Sequence, residues 1–357
     1  MKKGILCVLI CLLMMISTGV PLSATTLSEK STQPLTKGNI LYVGGSGPHN
    51  FSFIQEAIDA ASDGDTVFVY HDSSPYNESV VIDTSISLIG EDKQTTVIDG
   101  GYYPNTPAMV ITADGVTVHG FTIQTTPYKY VGMEINSSKN SIKDNLIKHC
   151  YKGIELAGFF STNRSTNSSV IEDNDIYEDT EGVFVYYSHF NTISHNRVSS
   201  MILSNSHGNL VTLNTFTGGE TGIWIARGGN NTVLKNTIMN HTIGILIDES
   251  SYNSIIQNNI YHNTINAKMV AFTMNNVLMR LKSFNQTWDG NYWGRAYQSP
   301  KPIFGCSILV PPTWVLNVFI AVLSQIIFKK QPPKSIAIGI PVITYDQHPA
   351  QGPYSIP

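Results

Sequence analysis

Between residues 141 and 261 apolar and polar positions alternate with a period of two, in runs too short to form helices. Six segments share one register: NSIKDNLI, SVIEDNDI, NTISHNRV, NLVTLNTF, NTVLKNTI and NSIIQNNI. Each carries an anchor asparagine (Asn145, Asn174, Asn196, Asn214, Asn236, Asn258), with an aliphatic residue three positions before it and an apolar residue two positions after. A second strand recurs between them, as in Gly132-Met-Glu-Ile, Gly153-Ile-Glu-Leu, Gly182-Val-Phe-Val, Gly222-Ile-Trp-Ile and Gly244-Ile-Leu-Ile. Ser200-Met-Ile-Leu and Asn266-Ala-Lys-Met fill the same place.

A period near 22 residues with two or three short strands per repeat is a solenoid pattern. No segment buries a core alone, but stacked coils do. The i, i+4 stripe of helical repeats and the leucine framework of a horseshoe are both missing. The pattern predicts an all-β fold, a single-stranded parallel β-helix. Asparagine at one turn of every coil stacks on its own kind, and its amide hydrogen-bonds along the column. Asparagine also tolerates the left-handed backbone that a tight turn uses, so these residues are expected in that conformation.

At the N-terminal end, Phe51–Ala61 is amphipathic, with Ile54, Ala57, Ile58 and Ala61 on one face. This predicts a helix capping the open first coil, where bare strand edges would invite pairing with other chains. Strands at Thr66–Tyr70, Val80–Ile82, Ser87–Ile89 and Thr96–Ile98 then begin the winding.

Composition fits this picture. Of 357 residues only 13% are charged and the net charge is −4, so neither a basic nucleic-acid surface nor an acidic solvating chain is expected. Of 29 asparagines, 20 lie between Asn136 and Asn266. Low charge follows from the stacking, since a charge at a repeated position meets its like in every coil.

The first 24 residues have the layout of a secretory signal peptide: Lys2-Lys3, an apolar run from Ile5 to Ile16, and a cleavage site after Ala24. An uncut membrane anchor is the alternative. Residues 25–38 read as a polar tether. Cleavage leaves Cys150 and Cys306, read as two inert buried thiols, with a disulfide as the alternative. Export to the cell surface or medium suits eight Asn-x-Ser/Thr glycosylation candidates, at Asn50, Asn77, Asn136, Asn163, Asn167, Asn230, Asn240 and Asn285.

The opening Phe51-x-x-Ile-Gln-x-Ala-Ile-Asp-x-Ala-x-x-Gly-Asp-x-Val-x-Val resembles the start of pectin-lyase-like right-handed β-helices. The coils resemble carbohydrate-binding and sugar-hydrolase repeats, in particular those of the NosD-like periplasmic copper-binding group and its exported archaeal relatives. Trp288-Asp-Gly-Asn-Tyr-Trp-Gly294 and Asp346-Gln-His-Pro-Ala350 resemble the closing segment of those relatives. The resemblance covers residues 39–305 and 336–354 and implies a right-handed coil; copper as a cofactor is implied by it alone. The β-helix with its N-terminal cap is therefore assigned to 39–305 and a closing segment to 336–357. Residues 306–335 depart from the pattern with an apolar run, Trp314–Phe328, closed by Lys329-Lys330. At 15 residues the run is short of the ~20 that span a bilayer. It reads as an end cap, with contact at a membrane surface as the alternative.

In each glycine-led strand the third residue points outward, giving the column Glu134, Glu155, Phe184, Ile202, Trp224, Leu246, Lys268. Tyr186, Tyr187, Arg227 and Asp248 lie beside it. Aromatic rings receive sugar faces and carboxylates receive hydroxyls or act as acid and base. Glu155, Phe184, Tyr186, Trp224 and Arg227 are the glycan-binding candidates. Next to the asparagines lie Asp144, Asp173, Asp175, His195 and Arg197, a candidate lyase-like site, with Asp173, Asp175 and nearby oxygens as a candidate calcium site. Candidate catalytic groups are Glu134, Glu155, Asp173, Asp175, His195 and Arg197, weighed against ordinary solvated faces. The scattered histidines show no copper-ligand spacing. The expected function is non-enzymatic binding of a polysaccharide or cell-surface glycan. A polysaccharide lyase, hydrolase or epimerase, and a NosD-like copper accessory, are the alternatives.

Overall fold

The computed structural model describes residues 38–357 apart from 103, 128–129, 159–165, 274–284, 310–337 and 357, and leaves the side chains of 102, 271–273, 306–309 and 338–342 undescribed. The signal peptide, nearly all of the tether, Asn163, the Cys306 side chain and the 314–328 run therefore lie outside the described residues.

The described chain is an all-β right-handed parallel β-helix of about ten turns. Three sheets run along it, of 11, 8 and 11 strands. The first sheet opens with Ile40–Val43 and ends with Thr287–Asp289, and the second runs from Val97–Asp99 to Asn259–Tyr261. The third starts at Val80–Ile82 and includes the glycine-led strands. Inward residues stack on their equivalents: Ile142, Ile171, Ile193, Val211, Val233 and Ile255 form one fully buried row of the first sheet.

The anchor asparagines form the predicted ladder. Oδ1 of Asn214 accepts both the backbone N–H of Asn196 (2.9 Å) and its Nδ2 (3.0 Å), and the pattern repeats from Asn145 to Asn291. The left-handed residue is not the asparagine but the one before it: Asp144, Asp173, His195, Leu213, Lys235 and Gln257 have φ between 51° and 59°. Turning at that residue aims the next side chain into the coil, where its amide meets backbone carbonyls.

A second ladder, absent from the sequence-based expectation, lies five residues upstream: Asn191, Asn209, Asn231 and Asn253, closed by Gln286. Coils of 18 and 22 residues follow one another on these ladders, because their extra length sits outside the five-residue bracket.

At the N-terminal end, helix α1 (Ile54–Ala60) buries Ile54, Ala57 and Ile58 against the first strands. Its first N–H groups have no side-chain cap of their own. Glu78 takes that role, accepting from Ile54 N (2.9 Å) and Gln55 N (3.0 Å). At the other end, Lys301–Leu309 extends the third sheet and Ile338–Asp346 adds an antiparallel last strand. Asp346 Oδ2 ends the first ladder by accepting Asn291 N, Asn291 Nδ2 and Trp293 Nε1.

Candidate functional site

The outward column of the third sheet is present as expected. Glu134, Glu155, Phe184, Ile202, Trp224, Leu246 and Lys268 are register partners on successive strands, all half-buried. Its upper part forms a groove of about 380 Å³ lined by Glu134, Lys152, Glu155, Phe184 and Tyr186. The Phe184 and Tyr186 rings lie nearly parallel, 17° apart with centroids at 5.9 Å. Lys152 Nζ sits 4.2 Å over the Phe184 ring and 2.7 Å from Glu155 Oε1. Glu134 accepts from Asn136 Nδ2 at 2.8 Å.

Lys152 lines this groove and Glu181 sits next to it, and neither stands out in the sequence repeat. They are register partners on adjacent strands. Burial pushes the Glu181 carboxyl above its usual range; Lys152 pulls it back and Glu155 adds to the rise. Its Oε2 is buried with no hydrogen-bond partner among the described residues. The available signal was position: both residues immediately precede the glycine of a glycine-led strand.

The other glycan candidates stand apart. Trp224 shares the column but lies between Ile202 and Leu246, so its surroundings are apolar. Arg227 is an exposed turn residue with φ 52°, paired with Glu249 at 3.1 Å.

The second cluster is organised around a residue the sequence pattern did not place there. Lys93 Nζ is 2.7 Å from Asp144 Oδ1 and 3.8 Å from Asp175 Oδ2. Its hydrogen bond to Asp144 raises the Lys93 pKa. A lysine ammonium thus sits against Asp144 and Asp175 of this cluster. Asp175 and Arg197 are register partners on adjacent strands, and His195 Nδ1 lies 3.6 Å from Glu172 Oε1.

Copper ligands fare no better. No group of three or more histidine, cysteine or acidic side chains able to hold a metal occurs among the described residues. His189 and His207 stack at 5.4 Å, but His189 Nδ1 already accepts the His207 N–H. Cys150 is free and fully buried, its thiol pushed up by burial, and Met109, Met133, Met201 and Met269 lie in the core. Among the glycosylation candidates, Asn50 Nδ2 donates to Gly44 O, Asn77 Nδ2 to Pro75 O and Asn136 Nδ2 to Glu134. No helix among the described residues is long and apolar enough to cross a membrane.

A family model described as periplasmic copper-binding protein (NosD) matches residues 58–298. Among solved structures, XylC in complex with xylose is 12% identical over 74% of this chain and 71% of that one, with a TM-score of 0.54. An alginate lyase from Paenibacillus sp. str. FPU-7 is 11% identical, covering 72% and 98% of the two chains, at 0.45. The A-module of the Azotobacter vinelandii mannuronan C-5 epimerase AlgE6 is 16% identical, covering 68% and 82%, also at 0.45. At these identities the likeness is one of fold. No curated protein matches the sequence.

Proposed function

The chain belongs to the NosD family, and from that premise we propose that it is an exported β-helix module that binds a glycan along its third sheet without turning it over. The groove carries the reading. Two near-parallel aromatic rings offer a platform for sugar faces, and carboxylates and an ammonium at its edge match hydroxyl groups. Glu155 is held in an ion pair with Lys152, so it is placed to accept hydroxyl protons in hydrogen bonds and poorly placed to exchange one. The fold likeness contributes the architecture and not the ligand. Copper binding finds no support in the donor set of the described residues.

Glu181 favours one second reading. A carboxyl whose pKa is raised by burial, beside a paired carboxylate, is the arrangement of a general acid in glycoside or uronate chemistry. The two readings part in a screen of the purified full chain against cell-wall and uronate polysaccharides. Retention on a glycan with no new chain ends, lost in Tyr186→Ala, is the expected result. Chain cleavage that disappears in Glu181→Gln would establish the enzyme instead.

A further inference from the structure

A second concavity lies at the opening coil, on the outer face of the first sheet. Strands Ile40–Val43 and Thr66–Val69 pair with Tyr42 beside Phe68, and Tyr70 follows two residues on, on the same face. The three rings form one cluster: Tyr42 and Tyr70 lie 21° apart at 6.0 Å, and Phe68 meets each edge-on.

Opposite the rings runs the loop of residues 44–50, GGSGPHN. Gly44 and Gly45 both have φ of 72°. A Cβ on Gly44 would come within 2.5 Å of Tyr76 Oη and 2.9 Å of Asp72 Oδ1, and one on Gly45 within 2.7 Å of the Tyr70 ring. Only glycine permits this approach. The loop is held by Gly45 N–H donating to Asp72 Oδ1 (2.9 Å), Asn50 Nδ2 to Gly44 O (2.5 Å), and Gly44 N–H to Phe51 O (2.9 Å).

The cavity, about 630 Å³, is lined by Tyr42, Tyr70, His71, Asp72, Glu91 and the loop. That volume lies within the roughly 300–1,000 Å³ range of small-ligand sites. Each acid is oriented through one oxygen only. Asp72 uses Oδ1 for Gly45 and Ser73, and Glu91 uses Oε2 for the N–H and Nδ1 of His71. Asp72 Oδ2 and Glu91 Oε1 are left without a hydrogen bond among the described residues. The bonds from His71 hold the Glu91 carboxyl below its usual range.

We propose that this notch is a second carbohydrate-binding site, taking a pyranose unit that bears no carboxylate, with its apolar face on Tyr70 and its hydroxyls donating to Asp72 and Glu91. Two fixed acids beside an aromatic face accept hydroxyl protons and repel uronates. The site is separate from the groove, so the module would hold glycan at two places, on two sheets. Neither inference needs the other.

The test is calorimetric titration of the full chain with cellotetraose, mannotetraose and tetragalacturonate. At least one neutral oligosaccharide is expected to bind more tightly than the uronate. Asp72→Asn keeps the acceptor for Gly45 and should weaken that binding about tenfold, as loss of a charged acceptor does; Tyr70→Ala should abolish it. Phe304→Ala, an exposed aromatic outside both concavities, should leave it unchanged. Binding of the uronate alone, no neutral binding at millimolar sugar, or neutral binding indifferent to both notch variants would overturn the proposal. So would loss of neutral binding in Tyr186→Ala alone, which assigns the ligand to the groove.

Discussion

Replacing Asn214 by aspartate tests the ladder without changing its shape. Asn214 is fully buried. Its Nδ2 donates to Ile193 O (2.8 Å), Thr212 O (3.0 Å) and Asn236 Oδ1 (3.0 Å). Oδ1 accepts twice from Asn196. An aspartate keeps the acceptor and turns the donor into an oxygen facing three oxygens. When protonated it still donates once, so two bonds are lost at about 1 kcal/mol each, or ~2 kcal/mol. When ionised it is a buried carboxylate among acceptors, and its folded pKa must rise above the ordinary ~3.9.

The sign follows. A folded pKa raised above the unfolded value leaves stability intact below the unfolded value and removes it as pH climbs toward the folded value. Each unit of rise costs about 1.4 kcal/mol, so a rise of about three units adds ~4 kcal/mol at neutral pH. Unfolding entropy near 2 cal/mol/K per residue turns these costs into a melting decrease of about 3 °C at pH 4 and about 9 °C at pH 7. The assay is thermal unfolding of full-length wild type and variant at both pH values, with exposed Asn240→Asp as control. A decrease equal at both pH values, or no decrease, would refute the amide ladder as a source of stability.

Asp346→Leu should strip three N–H groups of their acceptor, destabilise by roughly 3 kcal/mol, and speed hydrogen exchange at Asn291 and Trp293 while leaving Asn196 protected. Cys150 should resist alkylation in the folded chain and react only on denaturation, as a buried thiol with raised pKa predicts; rapid native labelling would contradict its placement. Glu181 has a raised folded pKa, so its contribution is most favourable in acid and declines as pH rises through that value. Glu181→Gln should therefore match wild type near pH 4 and gain relative stability toward neutral pH, read from unfolding curves at the two pH values.

Sequence periodicity exposed one asparagine ladder and the outward column because both depend on neighbours in the same repeat. The second ladder was written in the same segments: NTISHN, NTVLKN and NSIIQN each begin and end on a buried asparagine. Its first position also accommodates Ser169 and Gln286, which blurs the pattern. Assigning the left-handed turn to the asparagine itself followed a residue preference. Burying the amide requires the preceding residue to turn, even when it is Leu213 or Lys235. Lys93 reaches Asp144 across 51 residues, and the Gly44-Gly45 bend closes on Asp72 across 27. Such meetings depend on the winding, and no local pattern announces them.

The constant five-residue bracket between the ladders has a consequence for how such chains change over generations. Successive anchor asparagines are 29, 22, 18, 22, 22 and 33 residues apart, yet each bracket keeps its length. Insertions and deletions are thus steered to the remaining corners, where they cost the stack little, and away from the bracket, where one residue would flip a buried amide outward. A gene of this kind can drift in length while conserving its cross-section, and the variable corners are where new specificities can be tried without rebuilding the scaffold.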